Sequence, residues 1–243
     1  FAFDPIMLAS ILVFSALFGV VAADHVDYHS ERTHLVDVVG KNFLFRGNNP
    51  LNATSFVYDD LLADFQAAAQ KEGSVSVPSD IYLIDISLLN EVTESKDIHM
   101  EMSFFEENPD KGEFKLKPIY GDLISPLAYP ASLRTFLAKT LPDWQHDRTP
   151  QRIEEIRQIL ETQGDRPVAV YLHCEAGTDR TGQVVGDYML KYGQPPLNQS
   201  LAAVLNVDDH IISRDIRTLS RYGLEWFCWY LKEGEGRDID CSN

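Results

Sequence analysis

The chain is poor in cysteine, with three among 243 residues, and none of them form a C-x-x-C pair. That is too few for a disulfide framework, and it leaves no zinc-ribbon spacing. Basic residues are also scarce: 21 Lys and Arg stand against 37 Asp and Glu, a formal net charge of −16. A duplex nucleic-acid binder needs the opposite balance, because it must displace counterions from phosphates. No internal repeat and no low-complexity tract interrupts the chain. Apolar content of 44% and charged content of 24% are those of a folded globular protein. The length suits one large domain or two small ones, and it is enough to bury a substantial core.

One long apolar run is present. Ile6 to Ala23 (IMLASILVFSALFGVVAA) holds 18 residues without a charge. As a helix it would reach about 27 Å, just enough for a hydrocarbon core. Two readings stay open. Val21-Ala22-Ala23 suits a signal-peptide cleavage before Asp24. The preferred expectation is an uncleaved signal-anchor over residues 1–23, a polar linker over 24–40 and one domain over 41–243. Asp24 to Glu31 carries no Lys or Arg, which by the positive-inside bias places the domain in a lumenal or extracellular space. Sequons at Asn52 and Asn198 fit that placement. In an oxidising compartment Cys228 and Cys241 could pair; the alternative is a buried Cys228 and a loose Cys241.

The periodicity predicts an α/β chain. Phe43-Leu44-Phe45 reads as a short strand, Phe56 to Gln70 as a helix, and Ile81 to Ile86 as a buried strand. Glu91 to Lys111 reads as charged loop or edge, and Phe114 to Tyr120 as a strand. Thr149-Pro150 opens a helix through Leu160, followed by the strand Val168 to Leu172. Helices over Thr181–Tyr192, Leu197–Val207 and Ile216–Leu231 complete the pattern. In the last, Trp226, Phe227, Trp229 and Tyr230 read as core packing. Alternating strands and helices imply a layered sandwich with a largely parallel centre, preceded by the N-terminal hydrophobic helix.

The chemistry concentrates in Val170 to Gly182 (VYLHCEAGTDRTG). A buried strand runs into His173 and Cys174, five residues follow, and a helix starts after Arg180. Such a loop sets Cys174, Glu175, Ala176, Gly177, Thr178, Asp179 and Arg180 around one point. Its amides and the positive helix end converge there as an anion cradle. Gly177 lets the loop curl. Arg180 offers a planar fork for two phosphate oxygens. The same field favours Cys174 as the attacking thiolate, and His173 and the Thr181 hydroxyl are placed to orient the sulfur. A metal site fails here, since His173 and Cys174 are adjacent without a partner pair.

His173, Cys174, Arg180, Thr181 and Gly182 spell H-C-x5-R-T-G, which resembles the signature of the protein tyrosine phosphatase superfamily. Phe43-Leu-Phe-Arg-Gly and Ile84-Asp-Ile-Ser resemble the first strands of its dual-specificity members. The resemblance implies a three-layer phosphatase fold and two-step hydrolysis through a phosphocysteine, with no metal. It also implies a carboxylic general acid. Asp147 before Thr149-Pro150 is the first candidate. Asp179 follows, since Asp-Arg-Thr resembles myotubularin-type and some bacterial phosphatases. Asp143 after Pro142 is the third. Phosphotyrosine or phosphoprotein is the favoured substrate class. The alternatives are a phosphoinositide or inositol phosphate, because Cys-Glu-Ala-Gly resembles phosphatase-like phytases, or an inactive phosphatase-like subunit of a larger membrane complex.

Overall fold

The computed structural model describes residues 27–212 and 216–242. The hydrophobic segment expected over residues 6–23 lies outside the described residues. Within them, no helix is long and apolar enough to cross a membrane.

Five strands form one sheet: β1 (His34–Val39), β2 (Asn42–Asn48), β3 (Tyr82–Ser87), β4 (Gly112–Leu116) and β5 (Val168–Cys174). Their order is β1-β2-β5-β3-β4. β1 pairs antiparallel with β2, and every other pairing is parallel. The helices are α1 (Tyr58–Ala68), α2 (Ser95–Glu107), α3 (Ala131–Lys139), α4 (Leu141–Trp144), α5 (Thr149–Glu161), α6 (Asp179–Tyr192), α7 (Leu201–Ile212) and α8 (Thr218–Glu233).

Residue alternation along β5 explains the layers. Val170, Leu172 and Cys174 join one apolar cluster with Ile153 and Ile156 of α5, Val184 and Val185 of α6, and Leu224 and Phe227 of α8. Ala169 and Tyr171 join a second, with Leu61 and Phe65 of α1 and Phe105 of α2. A strand whose run Val168–Leu172 is apolar on both faces can only sit between two covered faces. Of the aromatic stripe in α8, Trp226 and Phe227 are buried in the core, while Trp229 and Tyr230 are half-buried and pack against it.

Three differences from the sequence reading have physical causes. The polar approach over 24–40 contains β1, whose side chains are all half-buried at the sheet edge. Glu91 to Lys111 is not loop or edge but carries α2, which buries Asp97, Ile98, Glu101 and Phe105. That is helical spacing, masked because two of its inward residues are acids. The third difference is at the C-terminus, where a disulfide joins Cys228 of α8 to Cys241, with Cα atoms 5.8 Å apart. This selects the paired alternative.

Candidate active site

Cys174 ends β5 at the carboxyl edge of the sheet, buried, with α6 opening five residues later. The loop between them is shaped from behind. Asn49 N donates to Glu175 O at 3.2 Å, and Arg32 Nη1 donates to Ala176 O at 2.9 Å. The buried Arg46 donates from Nη2 to Gly177 O at 3.0 Å, and Gly182 N donates to Thr178 O at 2.7 Å. Four successive carbonyls are thus held by donors around the loop. With the carbonyls engaged there, the amide face of the curl is left for an anion, as in a backbone nest. The first-turn amides of α6 have no intrahelical acceptor and add to it. Gly177 has φ +69, and a Cβ there would stand 2.5 Å from Gly47 O. Only glycine meets both demands.

The Arg180 guanidinium is clamped in a fork. Nη1 and Nη2 donate to the two carboxylate oxygens of Glu94 at 2.6 and 2.8 Å, and Nη1 reaches Leu88 O at 3.2 Å. Asn90 N donates to the same carboxylate at 2.6 Å. Holding both ends of a guanidinium leaves its remaining donors preorganised.

Cys174, Glu175, Ala176, Thr178, Asp179 and Arg180 line a cavity of about 520 Å³, closed on the other side by Ile119, Tyr120 and Arg217–Ser220. The structure therefore gathers six of the seven cradle residues read from the sequence; Gly177 turns the loop without lining the cavity. Glu175 lies on the wall, its carboxyl raised by burial and by the charges of Glu94 and Asp97 against the pull of Arg180.

The acid candidates fall in three different places. Asp179 lines the cavity and accepts from Arg217 N at 2.7 Å, with Arg217 Nε at 3.6 Å. Asp147 is buried: Tyr120 N donates to both of its oxygens at 3.1 Å, Gly121 N donates at 2.8 Å, and Arg152 Nε donates to its backbone carbonyl. Burial raises the Asp147 carboxyl against those amides. Its carboxylate fixes the cavity wall rather than lining the cavity. Asp143 is exposed in the first turn of α4.

His173 does not act beside the sulfur. Alternation along β5 sends the two side chains to opposite faces. Nε2 of His173 lies 3.1 Å from Asp85 of β3 and 3.4 Å from Glu101 of α2, all three fully buried. Burial alone would lower the imidazole; Asp85 and Glu101 overcome it and push it up to about 10. Burial pushes Glu101 up to about 7, with His173 opposing. These three place one ligand atom each within 4.8 Å, a grouping that could hold a metal ion. Adjacent-residue spacing could not show it, because the carboxylates come from two other elements. A charged imidazole between two carboxylates meets the same electrostatic need. The Thr181 hydroxyl is buried and makes no hydrogen bond among the described residues.

Sequence reading passed over Glu94, Arg32, Arg46 and Arg217, which act from up to 144 residues away. It also passed over Asp122, whose carboxyl burial pushes up to about 6 and to which Gln145 donates at 2.8 Å. The sequon residue Asn52 sits half-buried and accepts from Thr54 N, and Asn198 sits half-buried in a short 3-10 turn.

No sequence family and no curated protein matches the chain. It is similar in structure to kinase associated phosphatase, at 12% identity over 88% of this chain and 99% of that one, TM-score 0.47. It is similar to the catalytic core of the PP-IP phosphatase SIW14 from S. cerevisiae, at 14% identity over 84% and 88%, TM-score 0.38. It is also similar to PTPMT1 in complex with PI(5)P, at 13% identity over 81% and 94%, TM-score 0.39. All three are phosphatases by name.

Proposed function

We propose that the chain is a cysteine-dependent phosphatase that hydrolyses phosphate monoesters. One observation carries this reading. The sulfur, a loop whose carbonyls are all held by donors, and a clamped guanidinium share one cavity. In the first step the Cys174 thiolate attacks phosphorus, an S–P bond forms and the P–O bond to the leaving group breaks. The departing oxygen takes a proton from a carboxylic acid. In the second step water attacks phosphorus and returns a proton to that carboxylate. The S–P bond breaks, releasing inorganic phosphate and the thiolate. Arg180 and the loop amides meet the charge on the equatorial oxygens in both steps.

Asp179 takes the acid role in this proposal. It lines the cavity beside Arg180, whereas Asp147 holds Tyr120 and Gly121. Glu175 sets a further carboxyl next to the cradle where a basic residue would favour extra phosphates, which supports a single-phosphate substrate, phosphotyrosine or phosphoprotein among them.

The test is p-nitrophenyl phosphate turnover with vanadate inhibition. Turnover by the native chain and none by Cys174→Ser is expected. No turnover by the native chain favours the inactive-subunit reading instead.

A further inference from the structure

A second surface, outside the chemistry, lies at the same edge of the sheet. Among the described residues, the large apolar side chains that stand exposed are, but for Val92, all within 120–144 or at Leu219. Exposed apolar residues that gather into a patch mark an interaction site, whereas single scattered ones do not. Leu123 is 83% exposed and Phe136 is 61% exposed. Leu133 and Phe136 share one face of α3, three residues apart. Beside them a groove of about 380 Å³ runs between Leu123, Ile124, Leu137, Trp144 and the buried Trp226. Gly121 lines this groove and Tyr120 lines the catalytic cavity, so a single peptide unit separates the two.

The topology says what this face meets. The exposed segment follows β4, which ends at Leu116 at the carboxyl edge of the sheet. The opposite flank of that edge is β2, where Asn48 stands level with Cys174. There Asn48 Nδ2 donates to Asp27 O at 2.9 Å, and His29 N donates to Asn48 Oδ1 at 2.9 Å. The uncharged run Ile6 to Ala23 ends four residues before Asp27, a reach of at most about 14 Å. In the strand order β1-β2-β5-β3-β4, Asp27, to which the apolar run is tethered, therefore stands on the β2 flank of the cavity, and the exposed apolar segment follows β4 on the other flank. A net charge of −16 works against attraction to an anionic surface and favours apolar insertion as the driving force.

We infer that the face formed by Leu123, Ile124, Leu127, Leu133, Phe136 and Trp144 docks on a zwitterionic lipid bilayer, with the catalytic cavity turned toward the headgroups. The phosphatase reading is not needed for the docking itself; it supplies what the docking is for.

The experiment uses the full chain in phosphatidylcholine vesicles with and without brominated phosphatidylcholine. Comparing it with Trp144→Phe isolates the Trp144 emission. Bromolipid is expected to quench that emission by about half or more, as for an indole at the acyl boundary. The double variant Leu123→Asp/Phe136→Asp should lose about threefold or more of the quenching, while its p-nitrophenyl phosphate turnover stays within about twofold. Trp144 emission indifferent to bromolipid overturns the inference, and so does full quenching in the double variant. Absent p-nitrophenyl phosphate turnover, with quenching intact, would instead overturn the hydrolase reading alone.

Discussion

At Gly177 the backbone is left-handed and faces the Gly47 carbonyl, so Gly177→Ala should distort the cradle rather than merely stiffen it. Arg180→Lys keeps the charge but loses the fork that Glu94 grips. A fall of about 10²–10³-fold in kcat/KM is expected, read from p-nitrophenyl phosphate kinetics. The two leading acid candidates separate by different measurements. Asp179→Asn should cost about 10²-fold or more in kcat and remove the limb of the pH–rate profile that reports the acid. Asp147→Ala leaves the Tyr120 and Gly121 amides without their acceptor and should cost about 1–3 kcal/mol in urea unfolding. An Asp147→Asn enzyme that lost that limb while Asp179→Asn kept it would reverse the assignment.

Among the elements, β5 and its loop were legible because strand, cysteine, glycine, arginine and helix follow one another without a gap. The sandwich was legible too, since Ile81–Ile86 and Val168–Leu172 are continuous apolar runs. What stayed hidden is non-local. α2 reads as polar because Asp97 and Glu101 face inward, each with a partner from elsewhere: Asn49 donates to Asp97 at 2.8 Å, and His173 pairs with Glu101. The side-chain donors that hold the loop, Arg46 and Arg32, come from β2 and from the residues before β1, and no periodicity marks them. At the end of α8, the Cys228–Cys241 bridge closes a short loop and pins the tail to the helix. Cys241→Ser should lower stability by about 3 kcal/mol in the chain-entropy account, measured by urea unfolding. Reductant should lower the native chain by a similar amount and leave the variant unchanged.

Across the whole molecule, buried ionisable groups couple the layers and set how stability follows pH. Glu101, held up at about 7, keeps in the folded state a proton that the unfolded chain releases above its ordinary 4.5. His173, held up at about 10, keeps one that the unfolded chain releases above 6.5. Burial raises Asp187 and Asp122 in the same sense. In each case the folded state binds more protons, so stability falls as pH rises. The His173 contribution is complete below pH 6.5 and gone above about 10; the Glu101 contribution fades between 4.5 and about 7. Urea midpoints at pH 5, 7 and 9 should descend in that order, and Glu101→Gln should flatten the first step. A midpoint that rises across this range would refute the ion cluster as drawn.

The Arg32 side chain, anchored ahead of the first strand, props the loop between Cys174 and Arg180 from outside. A fragment trimmed to begin at Lys41 would keep the centre of the sheet but surrender that strut. It should still fold, yet grip phosphate slackly, so the shortest chain that looks intact by circular dichroism would be a poor guide to the shortest chain that works.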